Sequence, residues 1–217
     1  MTTQSKKDLC WCLFWLVLFF GLTCALCTID VQPAGPQNST IGLAGINTGF
    51  HAFTKESALL DKLTDIPLYI AFAECAFFAF LGLYELIKRK SLLKVDRSIY
   101  ALALIYIVMV VLYFVFDHMA INMRPVLIDG ALEPSFPSTH TMMTLTIYGT
   151  GIVAFRQIYK NQKSLNTIVL IVSTALITFA VAGRLLCGIH WLSDIAGGLF
   201  IGAALIMLYK FLVSVFQ

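Results

Sequence analysis

Long apolar runs separated by short polar stretches set the pattern of this chain. The first run, residues 9–29, follows Lys6-Lys7; others cover residues 66–87, 98–116, 139–158, 165–182 and 191–213. Each is close to the roughly 20 residues that a helix needs to cross a bilayer. The pattern predicts an all-α fold, a six-transmembrane-helix bundle that makes residues 1–217 a single integral membrane domain. The first run exceeds the apolar core of a signal peptide, about 7–15 residues, and has no clear small-residue cleavage site, so it reads as a retained span.

The longest polar stretch, residues 30–65, contains Pro33, Gly35, Pro36, Gly42, Gly45 and Gly49, which break regular structure. It is expected to be an extracytoplasmic loop, with a short interfacial helix over about residues 54–63. Asn38-Ser39-Thr40 matches a glycosylation acceptor, which matters only in a eukaryotic secretory pathway. Glu74 and Glu85 fall inside the second run. Glu85 is near enough to its end to reach the interface, whereas Glu74 is deeper and should face other helices rather than lipid.

Composition sharpens this picture. Apolar residues make up 59% of the chain and charged residues 12%, against about 45–50% and about 25% in soluble domains. No basic stripe interleaved with aromatics is present, so a nucleic-acid partner is not expected. Five of the cysteines (Cys10, Cys12, Cys24, Cys27 and Cys75) fall in apolar stretches and read as packing residues. Cys24-x-x-Cys27 has metal or redox spacing, but it has no second pair and no nearby histidine.

Six spans place both termini on one side. With them lie Lys6, Lys7, Lys88, Arg89, Lys90, Lys94, Arg97, Arg156, Lys160, Lys163 and Lys210; the other side holds Lys55, Lys62, Arg124 and Arg184. The positive-inside rule then makes the termini cytoplasmic. The expected protein is a multi-pass cell (plasma) membrane protein whose chemistry faces the extracytoplasmic side.

Three polar stretches meet at that outer boundary. The first runs from Asp117 through His118 to Arg124-Pro125, the second is Pro137-Ser138-Thr139-His140, and the third runs from Gly183-Arg184 through His190 to Asp194. His190 and Asp194 are four residues apart, a spacing that on a helix puts both side chains on one face. A carboxylate so placed accepts a hydrogen bond from one imidazole nitrogen and leaves the other free as a nucleophile. Arg184 offers a planar fork of donors suited to a phosphate. Gly197 and Gly198 would let a neighbouring helix or a ligand approach the backbone. His51 reads as a loop residue without a chemical role, His118 as a solvated one and Trp191 as an interfacial anchor. Ser138 taken alone reads as a helix cap.

Together the three stretches resemble the type 2 phosphatidic acid phosphatase superfamily, integral membrane lipid phosphate phosphatases related to vanadium haloperoxidases. That family's pattern is Lys, six residues, Arg-Pro; then Pro-Ser-Gly-His; then Ser-Arg, five residues, His, three residues, Asp. Arg124-Pro125, Pro137-Ser138-Thr139-His140 and Gly183-Arg184 with His190 and Asp194 stand at these positions, with Thr139 in place of Gly and Gly183 in place of Ser.

The resemblance implies a lipid phosphatase acting on a lipid phosphate held in the bilayer, through a phosphohistidine, without metal or cofactor. Bacterial members commonly act on undecaprenyl pyrophosphate, phosphatidylglycerophosphate or phosphatidic acid. His190 would be the nucleophile, Asp194 its orienting carboxylate and His140 the general acid and then base. Arg124, Arg184, the Ser138 hydroxyl and the backbone at Thr139 would bind the phosphate. The family's first-motif Lys falls on Asp117, which cannot bind phosphate. Asp117 would instead modulate the site, for example by holding Arg124 or Arg184, or Lys55 or Lys62 would supply the missing cation. Two other functions fit the same residues: a phosphotransferase passing the phosphoryl group to a lipid or sugar, or a decayed lipid-binding or transport protein.

Overall fold

The structure, a computed structural model, describes residues 2–216. Seven α-helices carry the chain: α1 (Thr3–Thr28), α2 (Ala44–His51), α3 (Ala58–Arg89), α4 (Arg97–Asp117), α5 (Thr139–Ile158), α6 (Lys163–Leu186) and α7 (Leu192–Phe216). Among the described residues there are isolated β-bridges but no strands. Five helices, α1, α3, α4, α6 and α7, are long and apolar enough to cross a membrane. The chain is thus an all-helical, multi-pass membrane protein.

The fourth predicted span coincides with α5, and α5 is not among those five. Its sequence explains why. Thr141, Thr144, Thr146 and Thr150 are all buried in it. The helix packs against α3, α4, α6 and α7, so its polar side chains meet protein rather than lipid. The Thr150 hydroxyl, for instance, donates to the Thr146 carbonyl at 2.8 Å and lies 3.2 Å from the Tyr106 hydroxyl of α4.

The second span begins earlier than expected. The predicted interfacial helix over residues 54–63 and the span over 66–87 are one helix, α3, capped by the Ser57 hydroxyl, which accepts from the Leu60 N–H at 3.2 Å. Pro67 lies inside it. A proline removes a helical donor and disturbs the turn before it, and neighbouring helices can satisfy the backbone groups so freed. The Tyr148 hydroxyl donates to the Pro67 carbonyl at 2.7 Å, and His140 Nε2 stands 3.0 Å from the Thr64 carbonyl. Both come from α5, which is thereby fastened to α3 beside Pro67.

The stretch read as an irregular loop, residues 30–65, also holds α2. No apolar period marks its sequence; one side chain anchors it. Asn47 is fully buried, and its amide donates to the Gly42 carbonyl at 2.9 Å and to the Ser193 hydroxyl at 3.0 Å. The Ser193 N–H returns a bond to Asn47 Oδ1 at 3.2 Å. The helix therefore lies against the start of α7.

Packing holds the bundle together, because lipid tails are as apolar as the helix surfaces and give no hydrophobic drive between them. α1 lies along α7, and Phe19 of α1 stacks on Phe136 with centroids 5.8 Å apart. Gly197 and Gly198 of α7 let the start of α5 come close. A methyl group at Gly197 would sit 2.5 Å from the Phe136 ring, and one at Gly198 would sit 2.6 Å from the Ser138 carbonyl.

The bundle has two unlike ends. α7 has 25 residues, so it runs roughly 37 Å at about 1.5 Å per residue. At its far end the Ser214 hydroxyl donates to Ser5 at 2.9 Å, and Lys210 lies 3.7 Å from Asp8 of α1. The two ends of the described chain therefore share one end of the bundle. The start of α7, the 118–138 connection and α2 make up the other.

Candidate active site

The site is built where the α6–α7 connection meets the starts of α5 and α7. α6 ends at Leu186, and Gly188 then turns the chain with φ +73°. Glycine enters this left-handed region without steric cost. A side chain at Gly188 would also press on the backbone of Lys55 and Glu56 at 3.0 Å. The turn is tied down on that side: the Ser57 N–H donates to the Cys187 carbonyl at 3.1 Å, and His51 Nε2 meets the Gly188 carbonyl at 3.0 Å.

His190 lies in this connection and not on α7, so it shares no helical face with Asp194; the turn instead sets it beside Asp194 in the first turn of α7. His190 Nδ1 lies 3.5 Å from Asp194 Oδ2, and both residues are buried. Asp194 Oδ2 also accepts the Trp191 N–H at 2.8 Å, which fixes the carboxylate at the helix start. On the opposite edge of the imidazole, Arg124 Nη1 is 3.4 Å from His190 Nε2. Burial holds the His190 imidazole well below its usual pKa of 6.5, and the positive charges of Arg124 and Arg184 push it the same way. A neutral imidazole results, with Nδ1 directed at the carboxylate and Nε2 carrying a lone pair.

Arg124 reaches the site through the 118–138 connection. A pair of chain segments is bridged there between Met123 and Pro134, and the Arg124 N–H donates to the Glu133 carbonyl at 2.9 Å. Arg124 Nε also lies 3.2 Å from the Glu133 carboxylate. The Trp191 indole N–H donates to the Met123 carbonyl at 2.6 Å. Trp191 is buried at 3% exposure, so it is a clamp between two site loops and not the interfacial anchor expected. The His51 ring packs on Trp191 with centroids 5.3 Å apart. His118, in contrast, is exposed and turns back to the Phe114 carbonyl at 2.8 Å.

The second histidine, His140, stands in the first turn of α5. Its Nδ1 is 2.9 Å from Arg184 Nη2. Arg184, at the last turn of α6, is buried and pairs with the carboxylates of Asp61 and Asp65 on α3. His140 Nε2 is 3.8 Å from Asp65 as well. Ser138 is fully buried and caps α5, accepting from the Thr141 N–H at 3.4 Å. Its own N–H donates to the Asp194 carbonyl at 2.9 Å, joining the two helix starts. Thr139 is the first residue of α5, beside His140.

One expectation changes here. Asp117 is exposed at the end of α4 and makes no ion pair among the described residues, so it holds neither arginine; Glu133 partners Arg124, and Asp61 with Asp65 partners Arg184. Lys55 and Lys62 are exposed. The carboxylates that do touch the arginines carried no motif. Asp61 and Asp65 are four residues apart, and that spacing would have signalled one helical face had α3 been read as starting at Ala58 rather than at residue 66.

Among the described residues no group of histidine, cysteine and carboxylate side chains is arranged to hold a metal ion. The donors instead suit an anion: two guanidinium groups, two imidazoles and the first turn of α5, whose N-terminus favours negative charge. The fold and site define a helical membrane protein with two arginines and two histidines gathered at one end of its bundle.

Residues 120–215, which include Arg124, His140, Arg184, His190 and Asp194, match the PAP2 superfamily. Its fold is similar to that of a transmembrane PAP2-type phosphatidylglycerolphosphate phosphatase from Bacillus subtilis, solved as a crystal structure. The TM-score is 0.66 at 16% sequence identity, over 92% of this chain and 94% of that one. No curated protein matches the chain in sequence.

Proposed function

We propose that the chain is an integral membrane lipid phosphatase that removes a terminal phosphate through a phosphohistidine at His190. One observation carries this reading: a buried, neutral His190 stands between the Asp194 carboxylate and Arg124, at the same end of the bundle as the Arg184–His140 pair. The carboxylate orients the imidazole and stabilises the charge that develops on it. Arg124 and Arg184 would hold the phosphoryl oxygens, with the first turn of α5 adding backbone donors at Thr139.

In the first step His190 Nε2 forms a bond to phosphorus as the phosphorus–oxygen bond to the leaving group breaks. To act as the acid, His140 would first take up a proton, which requires Nδ1 to release Arg184, and would then give a proton to the departing oxygen. In the second step His140 takes a proton from water, whose oxygen attacks the phosphohistidine. The nitrogen–phosphorus bond breaks, inorganic phosphate leaves and neutral His190 is restored.

A lipid substrate is favoured by what surrounds the site. An apolar groove of about 430 Å³ runs between α1, α4 and α7, with Met119 and Ile121 of the 118–138 connection also in its lining. Such a groove suits a hydrocarbon chain while the phosphate lies at headgroup level. The solved relative acts on phosphatidylglycerolphosphate by its description. We assign this chain the same broad class, the phosphate or pyrophosphate esters of membrane lipids.

Purified protein supplied with phosphatidylglycerophosphate, phosphatidic acid and undecaprenyl pyrophosphate should release free phosphate from at least one of them. Release should persist in chelator, since the donors present are suited to an anion and not to a cation, and vanadate should block it by taking the five-coordinate phosphoryl geometry. A phosphorylated lipid or sugar acceptor in place of free phosphate would make the protein a transferase. No turnover on the whole panel would leave the decayed lipid-binding reading.

We further propose a plasma-membrane location with six crossings, α5 being the sixth, and the site outside. Six crossings put both termini on one side, and the bias of Lys and Arg toward that side makes it cytoplasmic. With the native cysteines removed, Leu132→Cys should react with an impermeant thiol reagent on intact cells and Lys94→Cys should not. The reverse pattern would invert the orientation.

A further inference from the structure

Arg184 has its guanidinium held before any phosphate arrives. Asp61 and Asp65 lie one turn apart on the same face of α3, and each takes one terminal nitrogen of Arg184: Nη1 donates to Asp61 and Nη2 to Asp65. The third nitrogen, Nε, is buried and has no partner. A guanidinium gripped at both terminal nitrogens cannot rotate, so the direction of its Nε–H edge is set by α3.

The same clamp reaches the second histidine. Arginine has only donors, so His140 Nδ1, at 2.9 Å from Arg184 Nη2, must accept. The ring proton then lies on Nε2, which donates to the Thr64 carbonyl at 3.0 Å. Asp61, Thr64 and Asp65 are consecutive positions on one helical face. One turn and a half of α3 thus fixes both the guanidinium and the tautomer of the imidazole.

We infer that Asp61 and Asp65 are positioning residues for the phosphoryl-transfer reaction: they aim Arg184 at the phosphate and hold His140 in register through it. This rests on the phosphatase reading above. The clamp also has an electrostatic consequence, because two carboxylates offset the charge of the arginine that must bind an oxyanion. Ground-state affinity is weakened while the geometry needed for turnover is kept. Binding and turnover therefore depend on these carboxylates with opposite signs, and a positioning role adds a dependence of the Asp65 effect on the leaving group.

The test measures orthovanadate binding by titration calorimetry and phosphate release from a lipid phosphate and from p-nitrophenyl phosphate, on full-length protein in detergent. Asp61→Asn and Asp65→Asn keep the side-chain shape and remove one charge each. Each should bind vanadate about three- to tenfold more tightly, as expected for removing a like charge within a few ångströms. Turnover should nevertheless fall, by about tenfold or more for Asp65→Asn on the lipid phosphate and by less for Asp61→Asn, which does not adjoin His140. The Asp65→Asn deficit should shrink on p-nitrophenyl phosphate, whose leaving group needs little help from His140.

Either variant, once folded, decides the matter, because the sign of the binding change is the same for both. Unchanged or weaker vanadate binding, or full turnover in Asp65→Asn, would overturn the inference. The wild-type protein separates this from the function itself: vanadate bound without phosphate release on any substrate would contradict the phosphatase reading and leave the binding comparison to judge the clamp. A wild-type protein that binds no vanadate would contradict both.

Discussion

His190→Ala is expected to abolish turnover on every phosphate ester, a loss of roughly 10⁴-fold or more if the residue is the nucleophile of a covalent route. The reason is local. Nε2 of His190 is the unprotonated nitrogen beside Arg124, and Asp194 faces the other nitrogen at 3.5 Å. No other imidazole is placed this way: His140 already has both its nitrogens engaged, by Arg184 and by the Thr64 carbonyl. The loss should therefore be independent of the leaving group, because every substrate must pass through the same nitrogen–phosphorus bond. The check is kcat/KM on a lipid phosphate, a pyrophosphate and p-nitrophenyl phosphate. A deficit that varied strongly between them would contradict the role.

His140→Ala should behave differently. A positioned general acid typically contributes about 10²–10⁴-fold, and its value depends on how much the leaving oxygen needs a proton. A simple alkoxide needs one, whereas pyrophosphate or nitrophenolate departs with little help. The deficit in kcat/KM should be largest on phosphatidic acid-type substrates and smallest on p-nitrophenyl phosphate. Equal deficits for both histidine variants across all leaving groups would sink the division of labour between them.

The histidine half of the candidate site was legible in the sequence, and its carboxylate half was not. His190 and Asp194, with Arg124, Arg184 and His140, fall at the positions of a known pattern, although the helical spacing read between the first two does not hold because His190 precedes α7. Asp61 and Asp65 were hidden because the polar run to residue 65 was read apart from the span beginning at residue 66, whereas α3 runs through both. Tyr148 and His140 bond the Pro67 and Thr64 carbonyls, an arrangement visible only once α5 is in place. The place of Asp117 was legible but not its neighbours, since an exposed helix end gives a side chain no obligation to pair.

The fold divides in a similar way. Apolar length located α1, α3, α4, α6 and α7, because lipid imposes that length on any helix that meets it. α5 was found by the same reading, although its surface is protein-facing and threonine-rich. α2 escaped it, since two glycines and a buried asparagine leave no periodic signal; the Asn47–Ser193 bonds hold it. Trp191 was misplaced because an aromatic at a span boundary suggests a headgroup anchor, while here its N–H is spent on Met123.

The most direct test of the covalent route is a rapid-mixing experiment on His140→Ala with a substrate that has a good leaving group. Phosphoryl transfer to His190 then proceeds, but hydrolysis of the phosphohistidine lacks its base, so the intermediate should accumulate. Covalent catalysis of this kind predicts a burst of released nitrophenolate about equal to the enzyme present. It also predicts a base-stable, acid-labile phosphoryl group on His190, absent when His190→Ala is added. Steady release from the first turnover with no protein-bound phosphate, or a burst that survives His190→Ala, would contradict the account.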